Sequence, residues 1–162
     1  IAAVAGSASG VGLSLALHCD LLVMAEDAFL GIAFGRIGLV PDGGASWLLV
    51  RQLGYRRALE LALESARIPA ARARELGLAN RVVEAPRLME ECRQWAQQLA
   101  ALSPVAVAGT KKLMRLAAQA GFAEVFRSEA VLQERCAASG YFRERLEEFR
   151  QKRPAGSGVS PK

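Results

Sequence analysis

The sequence predicts an α/β protein in two parts: residues 1–85, where short strands alternate with helices, and residues 86–153, which are helical throughout. Three observations carry this. In the first part, short apolar runs, which period alone does not separate from buried helix, read as strands between Gly- and Asp-containing turns. At Pro86 the composition changes and strand patterns stop. Beyond it, Leu88, Cys92, Trp95, Leu99 and Leu102 recur at steps of four and three, one face of a helix. Residues 154–162 are rich in Gly, Ser and Pro and are expected to be a disordered tail.

Taken in order, Ile1 to Ala5 reads as a buried strand, and Gly6 to Gly12 as a Gly-rich turn. Leu13 to Cys19 follows as a fully buried helix carrying Leu13, Leu15, Ala16 and Leu17. Leu21 to Ala25 is a second strand, Glu26 and Asp27 turn the chain, and Phe29 to Phe34 is a third apolar run. Helices are expected at Ala45 to Leu53, stopped by Gly54, and at Arg56 to Ser65. Pro69 opens a short helix over Ala70 to Leu76, closed by Gly77, and Arg81 to Glu84 is a strand. Ser103 and Pro104 form a cap and first-position pair for a later helix. Phe122, Val125, Phe126, Leu132 and Cys136 mark another, and Phe142, Leu146 and Phe149 a last one.

With 162 residues, 52% of them hydrophobic, the chain is long enough for a real core and too apolar for a disordered tail. No uncharged apolar run reaches spanning length, and no secretory signal is visible. The first residue, Ile1, already sits in a strand-like run without an initiator Met, so the N-terminal part of a longer protein is expected to be missing. The net charge is +5, and 17 of the 21 basic residues are Arg, scattered along helices as solvated faces. Such a surface also suits a phosphorylated small molecule, whereas no zinc-finger spacing or RNA-binding aromatic pattern points to nucleic acid. Cys19, Cys92 and Cys136 are far apart and show no metal spacing. They read as reduced, buried thiols of a cytoplasmic protein. The single His18 has no partner at ligand spacing and reads as a packed core histidine, so no metal is expected.

Two turns carry candidate chemistry. In Gly38-Leu39-Val40-Pro41-Asp42-Gly43-Gly44, Pro41 fixes one angle and the glycines permit unusual ones, so Asp42 is held on a rigid turn before a helix. Asp42 is either the cap of that helix or an acid presented to a pocket. Gly6, Gly10 and Gly12 allow three readings. Their spacing is like the cofactor loop of short-chain dehydrogenases, with Glu26 placed to meet a ribose. Those enzymes need a Tyr with Lys four residues on, but Tyr55 is followed there by Leu59 and Tyr141 by Arg145. Alternatively the loop opens a helix whose first amides, Val11 above all, face a ligand oxygen. The third reading is a tight strand–helix packing turn with no ligand.

The combination resembles the crotonase (enoyl-CoA hydratase/isomerase) superfamily. The resemblance runs through Ile1 to Gly6, Gly10-Val11-Gly12, Cys19-Asp20-Leu21 and Gly38 to Gly44. It continues through Arg57 to Leu61, Ala73 to Ala79 and Arg81-Val82-Val83, with Phe149 to Arg153 like the end of the last helix. It implies a spiral of β-β-α units, with residues 1–85 as the C-terminal part of the spiral core. Residues 86–153 become a helical region that forms homotrimers or dimers of trimers. It also implies an acyl-CoA substrate, with coenzyme A part of the substrate and no other cofactor. Hydratases of this family use two glutamates, and here their positions hold Ser14 and Phe34. Asp42 stands where typical hydratases have Gly, as in the phenylacetate-pathway enoyl-CoA isomerases. Dehalogenases of the family also carry Asp there, as a nucleophile.

The activity implied is therefore double-bond isomerisation, with Asp42 moving the proton and the Val11 amide in the oxyanion hole. Gly10, Gly12, Ser14, Phe34, Pro41 and Trp47 would line the substrate site, and Phe149 and Lys152 would meet coenzyme A. Phe34, Val40 and Trp47 are expected to enclose Asp42 in apolar surroundings. Hydratase-like or dehalogenase-like chemistry, and a non-catalytic acyl-CoA-binding or scaffold role, are the alternatives.

Overall fold

Ala2–Val4 (β1) and Ser7–Ser9 (β2) are consecutive in the chain but belong to different sheets, separated by a bend at Ala5 and Gly6. After Val11–His18 (α1) the pattern repeats. Leu22–Ala25 (β3) lies parallel beside β1, with Ala2 opposite Leu22, and Phe29–Gly31 (β4) lies parallel beside β2, with Ser7 opposite Phe29. Each β-β-α unit is thus stacked on the previous one, as a spiral requires. Arg67–Pro69 (β5) then pairs antiparallel with β4, and Arg81–Val83 (β6) pairs parallel with β3. The two sheets have the orders β1-β3-β6 and β2-β4-β5.

The computed structural model describes residues 1–152, so the expected tail at 154–162 lies outside the described residues. The described chain forms two compact units that divide after Gln97. The division falls inside the helix Leu88–Ala100 (α5) and not at residue 86, because Leu88 and Cys92 are buried in the first unit's core. Burial pushes the Cys92 thiol up from its ordinary pKa. Arg81 is stacked on Trp95 at 3.7 Å and paired with Glu91, tying α5 to β6.

The first unit's core joins the two sheets to α1, to Ala45–Leu53 (α2), to Tyr55–Leu63 (α3) and to Ala70–Glu75 (α4). Leu13, Met24, Leu30, Ile32, Leu49, Ile68 and Leu88 are essentially sealed from solvent, and each such burial is worth about 1.5–3 kcal/mol. The first helix departs from expectation. Leu13, Ser14, Ala16 and Leu17 are buried, but Leu15 is 67% exposed, so α1 is one-sided and not buried all round. His18 and Cys19 are likewise exposed, not packed in the core. The expected turn Gly6 to Gly12 contains β2. Ser7, Ala8 and Ser9 have no strong strand propensity; the strand exists through its pairing with β4. There Gly31 approaches β2 closely: a Cβ on it would land on Ser9 Oγ and lie 3.0 Å from Ser9 Cβ.

The second unit contains Pro104–Ala117 (α6), Phe122–Ala137 (α7) and Gly140–Lys152 (α8). Ser103 caps α6 as expected, its Oγ accepting from the Ala106 amide at 3.4 Å. Gly109 packs against Leu132 between α6 and α7, and Tyr141 donates to the Ala101 carbonyl at 3.3 Å. Phe122 and Phe126 are exposed, with their rings stacked at 5.7 Å. Among the described residues, no helix is long and apolar enough to cross a membrane.

Candidate active site

The site is built where α1 starts. Gly10 has φ 56° and ψ −124°, a combination that effectively requires glycine, and its amide donates to the Gly31 carbonyl at 3.1 Å. The first bond within the helix runs from the Ser14 amide to the Gly10 carbonyl at 3.2 Å. The amides of Val11, Gly12 and Leu13 therefore precede any carbonyl that the helix could offer them, and the helix start is partially positive. A Cβ added at Gly10 or Gly12 would meet nothing within 4 Å, so these glycines border open space.

The dinucleotide-loop reading fails on the same element. It needs Gly6, Gly10 and Gly12 in one loop between a strand and α1, whereas Ser7–Ser9 between them is strand β2, paired with β4.

Asp42 lies on the turn that follows a 3-10 turn at Phe34–Ile37. Gly43 and Gly44 take φ of 55° and 81°, and Gly44 occupies the cap position of α2 without any side-chain bond. The carboxylate of Asp42 is thus not the helix cap. The Asp42 backbone carbonyl closes the turn, accepting from the Ala45 amide at 3.0 Å. The side chain is exposed.

This turn sits on α1. The Ser14 hydroxyl, on a side chain only 2% exposed, donates to the Asp42 carbonyl at 2.9 Å. A Cβ on Gly43 would come within 3.0 Å of Ser14 Cβ, and one on Gly44 within 3.0 Å of His18 Cε1. His18 Nδ1 is 2.9 Å from the Ser14 carbonyl oxygen. Ser14 is three residues from Val11, about 4.5 Å along the helix axis. The structure therefore brings together an exposed carboxylate, an open helix start and the side chain that joins them. His18, which carried no functional expectation, is part of this seat; its signal was the four-residue spacing from Ser14.

The expected enclosure of Asp42 is not formed by this chain. Phe34 turns into the core at 6% exposure, while Val40 and Trp47 are 78% and 51% exposed. The Trp47 ring is instead stacked by the Arg51 guanidinium at 4.9 Å. Pro41 is half-buried and lines a largely apolar cavity of about 540 Å³ with Leu39, Val40, Leu49, Tyr55 and Leu59. Phe149 belongs to α8 of the second unit, where it is exposed, and the Lys152 side chain is outside the described residues.

Comparison with known proteins agrees with this architecture. Residues 1–156 match the model of the enoyl-CoA hydratase/isomerase family. The chain is 37% identical to a probable enoyl-CoA hydratase of Rhodobacter capsulatus over 95% of its length, which is 60% of that protein. It is 37% identical to the carnitinyl-CoA dehydratase of Salmonella typhi over 78% of its length, 49% of that protein. Among solved structures, it superposes on subunit I of an enoyl-CoA hydratase of Geobacillus kaustophilus with a TM-score of 0.90 and 34% identity. That match covers 98% of this chain and 62% of the other. Stacked β-β-α units, a helical C-terminal unit and a family match along nearly the whole chain lead to one conclusion: this protein belongs to the enoyl-CoA hydratase/isomerase family, the crotonase superfamily.

Proposed function

We propose that the intact protein isomerises enoyl-CoA thioesters, moving a double bond by proton transfer at Asp42. One observation carries the proposal: an exposed Asp42 carboxylate, free of any capping role, sits on a turn bonded to α1 one helical turn from the open Val11 amide. The thioester oxygen would accept from Val11 N–H. One such donor typically lowers the barrier by about 3 kcal/mol. Asp42 would take the proton next to the thioester carbonyl, giving an enolate, and return it at the far carbon. Ser14 and Phe34, at the positions of the hydratase glutamates, have no ionisable side chain, and adding water favours two carboxylates. Among family branches, the Asp-bearing turn is most similar to the phenylacetate-pathway isomerases.

The names of the relatives, hydratase and dehydratase, favour a second reading in which water is added or removed. Supplying the intact protein with 3-enoyl-CoA, and separately with 2-enoyl-CoA in water, separates the two. Isomerisation requires conversion of 3- to 2-enoyl-CoA without 3-hydroxyacyl-CoA; rapid formation of the hydroxy product from 2-enoyl-CoA would establish the hydratase reading instead.

The resemblance further supports coenzyme A binding by Phe149 and Lys152, a cytoplasmic location, and a homotrimer or dimer of trimers. The exposed Phe122, Phe126 and Val131 of α7 are suited to self-association. Sedimentation of the intact protein should show a trimer or a dimer of trimers; a monomer at micromolar concentration would contradict it.

A further inference from the structure

We infer that Ser14 is a positioning residue for Asp42, holding the acid-bearing turn against α1. The inference rests on Asp42 being the base, and adds how the base is placed. The Ser14 hydroxyl has one hydrogen and two carbonyls within reach, Asp42 at 2.9 Å and Gly10 at 3.4 Å. The shorter bond takes it. The contact to Gly10 is the local one that any helical serine can make to the carbonyl four residues back. The contact to Asp42 spans 28 residues and joins two separate elements.

The turn keeps its own shape without Ser14. The Ala45 amide still bonds the Asp42 carbonyl, and Ser46 Oγ reaches the Pro41 carbonyl at 3.4 Å. What Ser14 supplies is the distance of the turn from α1, and hence from the Val11 amide. Two further contacts on the same helix face set that distance. Gly43 approaches Ser14 so closely that a Cβ would crowd it, and Gly44 lies as close to His18. His18 Nδ1 meets the Ser14 carbonyl, so the two side chains, four residues apart, form one seat. A proton-transferring group must be within hydrogen-bond reach of its carbon acid, and displacement of about 1 Å can cost roughly 10²-fold in rate.

The test uses the intact protein with 3-enoyl-CoA, comparing Ser14→Ala, Ser14→Thr and Asp42→Asn, with melting curves for each. Ser14→Ala is expected to lower kcat about 10- to 100-fold with KM within about 3-fold, because ground-state binding does not use the hydroxyl. Ser14→Thr retains the donor and is expected to restore kcat to within about 3-fold of the parent. A purely structural role would lower the melting temperature of Ser14→Ala without splitting kcat from KM. If Ser14→Ala leaves kcat within about 3-fold, or if Ser14→Thr with the parent's melting temperature is as slow as Ser14→Ala, the positioning role is wrong. Those results leave the Asp42 reading standing provided Asp42→Asn is inactive; an active Asp42→Asn overturns the base itself and the inference with it.

Discussion

Replacing Gly43 by Ala tests how closely the Asp42 turn is seated on α1, and Gly38→Ala is its control. Both glycines have positive φ, 55° at Gly43 and 73° at Gly38, so both substitutions carry backbone strain of about 1–2 kcal/mol. They differ in surroundings. A Cβ at Gly38 meets nothing within 4 Å, whereas one at Gly43 comes within 3.0 Å of Ser14 Cβ and 3.3 Å of Ser14 Oγ. Ser14 Cβ is fixed to the buried face of α1 and has no rotamer by which to retreat. Overpacking of this kind costs about 1–3 kcal/mol beyond the strain. Gly43→Ala should therefore cost about 2–5 kcal/mol and Gly38→Ala about 1–2 kcal/mol. For a protein of this size one kcal/mol moves Tm by about 2–4 °C, so the two variants should differ by several degrees in thermal unfolding. Gly12→Ala, with neither positive φ nor a neighbour within 4 Å, should be close to neutral. Equal melting temperatures for Gly43→Ala and Gly38→Ala would refute the close seating of the turn.

Two further outcomes are expected. Thiol labelling of the native protein should modify Cys19, which is exposed, well before Cys92, which is buried and whose raised pKa leaves less thiolate at neutral pH; faster labelling of Cys92 would contradict the core described here. Acyl-CoA, and not NAD(P)H, should raise the melting temperature of the intact protein, by an amount equivalent to about 2.7 kcal/mol at a hundredfold excess over Kd; stabilisation by the nicotinamide nucleotide alone would restore the dehydrogenase reading of Gly6, Gly10 and Gly12.

Strong local signals made much of the fold legible. Gly54 ends α2 with φ 77°, and Ser103 and Pro104 open α6 with both a cap bond and a proline in the first turn. The Asp42 turn was visible because Pro41, Gly43 and Gly44 restrict and permit angles in a pattern that few structures need. Elements made by distant pairing were not legible. β2 is Ser-Ala-Ser and β5 is Arg-Ile-Pro, and neither run is a strand until β4 lies beside it. Leu15 misled because apolarity alone does not say which face of a helix is covered. His18 misled for the opposite reason: a histidine without a nearby ligand partner gives no hint that a glycine 26 residues on will pack against its ring. Asp42 looked like a cap from its place before α2, but the left-handed Gly44 took the cap position and left the carboxylate unused there.

Asp42→Asn in the intact protein tests the central claim most directly. Both contacts that hold residue 42 use its backbone carbonyl, from Ala45 and from Ser14, and neither uses the carboxylate. Asn keeps the size of the side chain and leaves those bonds intact, so stability should change by no more than about 0.5 kcal/mol. It cannot accept the substrate proton. The rate of 3-enoyl-CoA isomerisation should fall by about 10²- to 10⁴-fold, equivalent to about 2.7–5.4 kcal/mol of barrier, with acyl-CoA affinity within a few-fold. Isomerisation at near-parental rate by a variant of unchanged melting temperature would contradict the claim that Asp42 moves the proton.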